Sequence, residues 1–546
     1  MSSPSESLDA PQPRRGWSKP RLMRKSGGLS ALTHGVLVGR VVPGFRNALY
    51  GFGLLLLVGS IALVFRRPDY ASYFVVISLA AAVPMICWFG GHHKGLPVLP
   101  VFVLQQAVVY LMPLFMENVS LEGYPSGVVA RSAWSIALFL LLLPVGWYFG
   151  EQALRAGPSR WNLALAGRDG GRAKALAIAL ALLSIGFFFE LLSFTGWISS
   201  LLPGGLSGLF PLLRQFAAAS STLGALLGGY AVSVRGGTAQ SAYYWLLLTG
   251  IAILSISGVL ISAVTALVVA ATIGQALGGR RVPWVFLGVS LGIVGFLNIG
   301  KFTMRERYWE TMGGSKMEVV EGQGLNKLSL LQLPGFYAEW AAASVEKILI
   351  GQAAAEGADA SGEEGQSLLD RINNYQNMVF VVNAQQTLCI RPLWGETYAL
   401  IPPLFIPRML WKEKPRTHEG QIRLNLHYGR QGSIEQTETT YIAWGLLPEA
   451  VGNFGVWFGP VILGPVLGFL FGLLEVWSRR KRFFSIEGFI ALGLVLQVLV
   501  SFEMAASVFL TSAFQMVVAL AVGGAILRMW LGSDDDPARR ARLGRR

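Results

Sequence analysis

The sequence predicts an all-α polytopic integral membrane protein: about twelve transmembrane helices, with one large external loop region between the ninth and tenth. Three observations carry this. Of 546 residues, 53% are hydrophobic and only 14% charged, with a mean hydropathy of +0.50; soluble domains carry nearer about a quarter charged residues. Apolar runs such as Leu54–Val64, Ala175–Phe189 and Val285–Ile299 recur along the chain. A hydrocarbon core of about 30 Å takes about 20 apolar residues per helix, and in lipid a helix satisfies its own backbone. Finally, from about Lys301 to Thr440 the apolar runs stop and a polar, Arg-rich segment takes their place.

By run length, spans fall near 46–65, 70–90, 97–116, 132–150, 175–194, 208–233, 242–257, 260–278 and 284–300, then 452–477, 484–502 and 506–530. The stretch Tyr243–Gly278 is too long for one crossing, and Gly258 divides it. The chain then reads as a basic cytosolic tail (1–45), nine spans (46–300), the loop region (301–451), three spans (452–530) and a second basic tail (531–546). Leu201–Phe216, with Pro203, Gly204 and Gly205, enters the membrane after a short interfacial piece. Within the loop, Leu333–Ile350 is patterned as an amphipathic helix with Phe336, Trp340, Val345 and Ile348 for one face. Residues 351–366 read as an acidic linker, and Leu368–Leu388 as a helix. Pro392, Pro402, Pro403 and Pro407 then allow only short turns and helices.

The net charge is +14. Most of it follows the positive-inside rule, so nucleic acid is not needed as a partner. With the N-terminus inside, one membrane face receives Arg14, Arg15, Arg155, Arg168, Arg172, Arg280, Arg281, Arg479–Arg482 and the C-terminal arginines. The opposite short loops receive Arg66, Arg67 and Arg131. Both termini are therefore expected in the cytosol and the 301–451 region outside: periplasmic for a bacterial inner membrane, extracellular in a single-membrane cell. Cys87 and Cys389 lie far apart in this layout, so no disulfide is expected.

The loop's cations include Arg305, Arg371, Arg408, Lys414, Arg416 and Arg430. Arg forks match phosphate, and a cluster of them in a water-facing segment suits an anionic substrate; salt bridges to Glu396, Glu413 and Glu419 are the plainer reading of any one. Arg214 stands at membrane depth, where an ionisable group is costly: it serves function or snorkels to the interface. Glu190 falls at the same face and could pair with it. His418 is a candidate general base, as are the carboxylates Glu438 and Glu449. Glu449 could equally complement a helix N-terminus. No Walker A loop, GxGxxG, HExxH or GxSxG is present, and the loop region holds no DxD-like metal pair (Asp534–Asp536 form an acidic patch in the C-terminal tail), so no cofactor or metal is expected.

Between 371 and 460 the residues form a pattern. Arg371 is followed by Gly395-Glu396-Thr397-Tyr398, Pro407-Arg408, Trp411, Lys414-Pro415, Gly445, Glu449-Ala450 and Asn453-Phe454-Gly455. This resembles the oligosaccharide repeat unit polymerases, the Wzy-type O-antigen and exopolysaccharide polymerases. The resemblance implies a GT-C-like helical glycosyltransferase that joins undecaprenyl-diphosphate-linked oligosaccharides without a metal. Its pattern falls on Arg371, Tyr398, Arg408 and Lys414, with Arg408 and Lys414 as the expected diphosphate ligands; Arg214 and Arg305, outside the matched stretch, are secondary candidates, and Arg416 is a further candidate for substrate binding. Trp411 would stack on a sugar or anchor at the interface. His418 or Glu438 would be the base. A flippase for lipid-linked units and a chain-length co-polymerase are the partners it implies. An O-antigen ligase uses the same donor, and a twelve-helix transporter of polysaccharide precursors shares the layout; both remain alternatives.

Overall fold

The computed structural model describes residues 38–90, 95–115, 121, 123–162, 170–198, 210–233, 239–259, 261–278, 283–311, 328–355, 373–407, 410–411, 413–439, 442–482, 485–499, 501 and 503–531. Helices dominate them, and no strand occurs among them beyond an isolated bridge between Asn162 and Ser485. The first nine long helices are α1 (Val38–Arg66), α2 (Pro68–Gly90), α3 (Val98–Phe115), α4 (Ser126–Ala153), α5 (Gly170–Phe194), α6 (Phe210–Ser233), α7 (Ala239–Ser257), α8 (Ser262–Leu277) and α9 (Trp284–Ile299). After the loop region come α18 (Phe458–Ser478), α19 (Ile486–Leu499) and α20 (Ala506–Leu531). Among the described residues, seven helices are long and apolar enough to cross a membrane: α2, α3, α4, α5, α7, α18 and α20. Shorter apolar helices lie within α1, α8, α9 and α19. This is the architecture of a polytopic membrane protein.

Apolar side chains gain little by leaving lipid for another helix, so bundles in membranes rely on close backbone approach. Helices α4 and α18 show this directly. A Cβ on Gly146 would lie 1.9 Å from the Pro465 carbonyl oxygen, and one on Gly468 would lie 2.0 Å from that of Leu143. Gly464, Gly468 and Gly472 recur every four residues and so form one ridge. Helices α6 and α8 repeat the device, with Gly274 against the Leu226 carbonyl.

One polar knot fastens the same seam. Glu475 of α18 is fully buried. It accepts from the indoles of Trp88 (3.0 Å) and Trp147 (2.9 Å) and from the backbone N–H of Leu99 (2.9 Å). Four helices, α2, α3, α4 and α18, thus meet at one carboxyl group, beside the Arg479–Glu151 ion pair. Under the charge bias this knot lies on the inner side.

The loop region is built of smaller helices: α10 (Lys301–Thr311), α11 (Leu333–Ala355), α12 (Asn374–Gln386), α13 (Glu396–Ala399), α14 (Ile401–Leu404), α15 (Glu419–His427), α16 (Ile434–Thr439) and α17 (Leu446–Phe454). Helix α11 packs on α9. Trp340 donates to the Leu297 carbonyl at 2.6 Å, and Phe336 and Trp340 are buried with Met304. Val345, expected on that face, is turned outward. The helix expected over 368–388 begins at Asn374, capped by the Asn373 side chain on the Gln376 N–H. The break expected at Gly258 falls there, with Val259 at φ 57°.

The tenth apolar stretch differs from its expected outline of 452–477. It divides at Gly455 (φ 89°) into α17 and α18, so Glu449 sits on a separate short helix rather than at the mouth of a span. The N-terminal tail to residue 37, the 199–209 segment, most of the 351–366 linker and the C-terminal tail from 532 lie outside the described residues.

Replacing Gly468 with Leu puts a side chain where the Leu143 carbonyl stands. We expect the full-length protein to lose its monodisperse peak in detergent on size exclusion, whereas Gly127→Leu, with open space around it, leaves it unchanged.

Candidate functional site

The site grows out of a joint between the loop region and the bundle. Gly395 (φ 90°) starts α13, and Gly445 (φ 85°) precedes α17. Neither position takes another residue freely, and a Cβ on Gly445 would meet the Asn374 amide at 2.3 Å. These turns bring Thr397 against Glu449 and Asn453. The Thr397 hydroxyl donates to Glu449 Oε1 at 2.8 Å and accepts from Asn453 Nδ2 at 2.8 Å. Glu449 Oε2 accepts the backbone N–H of Ala506, the first residue of α20. Two further bonds, from Leu393 N–H to the Gly452 carbonyl and from Trp394 N–H to that of Asn453, close the joint. Tyr398 stacks on Phe454 with centroids 5.6 Å apart.

Glu449 is fully buried and each carboxyl oxygen is engaged. Burial pushes it up to about 7, against the hydrogen bonds from Ala506 and Thr397. It holds the joint. The Tyr398 hydroxyl is buried near it, raised well above its ordinary value by that burial and then by the Glu449 charge. It has no hydrogen-bond partner among the described residues.

Gly420 packs over this joint, with its Cβ position 3.4 Å from Thr397. That sets the start of α15 and places His418 as its cap residue. The His418 Nδ1 lies 2.7 Å from Gln421 Oε1. An amide oxygen only accepts, so Nδ1 carries the proton and Nε2 the basic lone pair. Burial lowers the His418 pKa first; the Gln421 bond opposes this and the Arg214 charge adds to it. The imidazole is therefore neutral near pH 7.

Arg214, near the start of α6, is solvent-accessible and acts electrostatically on both His418 and Glu190. Glu190 in turn is hydrogen-bonded to Ser255. Glu190 also lines a cavity of about 180 Å³ among α5, α6, α7, α8, α19 and α20. Glu190, Gln215, Ser221, Thr222, Ser255 and Gln497 give it polar points among Ala and Leu side chains. Glu190, Gln215, Ser255 and Gln497 lie toward the helix ends that the charge bias assigns to the outside.

The other candidates divide. Lys414 points its ammonium at the Leu404 (3.0 Å) and Ile406 (2.7 Å) carbonyls, completing the end of α14. Arg305 donates to the Val259 carbonyl at 3.2 Å and holds the α7–α8 break. Trp411 and Arg416 are exposed. Arg371 and Arg408 lie outside the described residues, and for Glu438 only the backbone of α16 is described. His427 binds the Arg391 carbonyl at 2.7 Å as a surface anchor. Cys87 and Cys389 are both free. Among the described residues no three His, Cys, Asp or Glu side chains converge as a metal cage. Gln421 and Ser255 were not picked out from sequence; Gln421, three residues after His418, was within reach of a helical-spacing argument. No protein-family model, curated protein or solved structure matches this chain.

Glu449 gives a pH test. Its folded-state pKa lies above the ordinary value of 4.5. Its contribution to stability is therefore full below about pH 4.5 and is lost as pH rises through about 7. His418, shifted downward, acts in the opposite sense, so the comparison needs a variant. Relative to Glu449→Gln, the wild-type melting temperature should fall between about pH 5 and pH 8. A pH-independent difference would mean the carboxyl does not titrate there.

Proposed function

We propose that the chain polymerises oligosaccharide units carried on undecaprenyl diphosphate, at the outer face of a bacterial inner membrane. The observation that carries this reading is the convergence of a neutral, oriented His418 with the Arg214 cation, which also acts on Glu190, a residue lining a cavity inside the bundle. The resemblance over 371–460 points the same way, since its Thr397, Glu449 and Asn453 form one joint.

In this reading both termini are cytosolic, twelve helices cross the membrane, and the loop region faces outward. Arg214 attracts the lipid diphosphate, and Arg408 lies on the same loop region for that purpose. The acceptor sugar hydroxyl gives its proton to His418 Nε2 as its oxygen bonds to the anomeric carbon of the donor sugar. The bond from that carbon to the phosphate oxygen breaks, and the lipid diphosphate leaves with its electron pair. Charge develops on the diphosphate, where a guanidinium placed in advance stabilises it. Glu190 and Ser255 hold Arg214 in place. Lys414 shapes the α14 turn from which the Pro407–Trp411 segment follows. A flippase supplying units and a chain-length co-polymerase are the partners this role requires.

The test is analysis of surface polysaccharide and lipid-linked sugars in a strain lacking the protein. Loss of polymer with single units retained supports the reading. Full-length polymer left on its carrier would indicate a ligase, and unaltered polysaccharide would remove both enzymatic readings. In the complemented strain, His418→Ala should lower polymer formation by roughly 10²–10⁴-fold and Arg214→Ala by roughly 10²–10³-fold, with membrane levels of the protein unchanged. Normal polymer in both variants would show the site to be elsewhere.

A further inference from the structure

Three arginines among the described residues are matched by carboxylates: Arg307 by Glu339, Arg423 by Glu396 and Glu419, Arg479 by Glu151. Arg430 is different. It follows the last turn of α15, half-buried, with its guanidinium carbon 5.0 Å from the centre of the Phe380 ring and 5.8 Å from that of Trp444. The Trp444 indole is itself fixed by Asn425 Oδ1 at 2.6 Å, and the Tyr428 ring packs beside it. Among the described residues, the titratable group whose charge acts on Arg430 is Tyr124, on the α3–α4 connection. Among the described residues no carboxylate pairs with Arg430, and its Nη1 has no hydrogen-bond partner.

Burial lowers the Arg430 pKa to about 10, so it stays a cation at neutral pH. Aromatic faces offset part of the cost of keeping a guanidinium out of water, but they supply no acceptor for Nη1, which has none among the described residues. A carboxylate or phosphate answers such a fork with two parallel hydrogen bonds. The place is also apt. His418 caps the other end of α15, and a helix of nine residues is about 14 Å long. A chain of a few sugars whose end reaches His418 would pass Arg430. The α3–α4 connection and the loop region share the outer face under the charge bias.

We propose that Arg430 is the seat of an anionic substituent on the oligosaccharide, a sugar carboxylate or phosphate, which would make acidic repeat units the substrate class. That the anion arrives on a sugar rests on the polymerase reading; the anion seat itself does not.

The test uses the full-length protein in lipid nanodiscs and saturation-transfer NMR. The probes are methyl glucuronoside, methyl glucoside and inorganic phosphate, applied to wild type, Arg430→Gln and Arg430→Lys. Wild type should bind the glucuronoside at least about tenfold more tightly than the glucoside. Arg430→Gln should erase that preference, and Arg430→Lys, which keeps the charge without the fork, should weaken it several-fold. Phosphate that displaces the glucuronoside at equal concentration assigns the seat to a phosphate-bearing sugar; failure to displace it assigns the seat to a uronic acid. Equal binding of glucuronoside and glucoside by wild type overturns the proposal, as does unchanged preference in a folded Arg430→Gln. Should Arg430→Gln not fold, unchanged affinity in Arg430→Lys overturns it. Polymer loss on deletion without this preference would leave the polymerase reading and remove the seat. The preference without any polysaccharide defect would do the reverse.

Discussion

The buried carboxyl of Glu449 fastens the loop region to the helical bundle. It takes one hydrogen bond from Thr397 on α13 and one from the backbone that begins α20, while its own helix carries Asn453 back onto Thr397. A carboxyl group without water is tolerable only when its oxygens are answered, and leaving one donor or acceptor unmet there costs about 1–3 kcal/mol. Three separate stretches of chain are thereby held in one register. Gly420 lies directly over the joint, so the start of α15, and with it His418, is set by the same interaction. On the opposite side of the bundle Glu475 does comparable work with two indoles and a backbone N–H. Between the two, the glycine ridge of α18 lets its backbone touch that of α4.

Much of the helical layout was legible. Helices stand at each of the twelve apolar stretches because run length and Gly or Pro punctuation are local signals. Phe336 and Trp340 face the core of α9–α11 as their spacing requires, yet Val345 does not, since the helix has rotated by then to solvent. The division at Gly455 was missed: a single glycine inside an apolar run gives no warning that its φ is positive. The four-residue recurrence of Gly464, Gly468 and Gly472 is a local signal in the sequence that marks the helix contact.

The site was legible in its parts rather than in its grouping. Glu190 was placed beside Arg214 from depth alone, and the two do interact. That His418 belongs with them, across more than 200 residues of chain, follows only from how α15 is seated. The role of Glu449 was open between base and helix complement; its partners make it a joint, because they lie on α13 and α20, which no spacing argument connects. Lys414 looked like an anion ligand by charge, but two backbone carbonyls at the end of α14 claim its ammonium. Burial of Arg430 on Phe380 and Trp444 depends on the same long-range packing and was not visible in the sequence.

The most direct measurement is product analysis by mass spectrometry after the purified full-length protein, in nanodiscs, is given undecaprenyl-diphosphate-linked oligosaccharide. The account predicts products lengthened by whole units, with one equivalent of undecaprenyl diphosphate released per joining step, and no such products from His418→Ala. Undiminished substrate with folded wild-type protein, or joining that persists at the wild-type rate in His418→Ala, would contradict it.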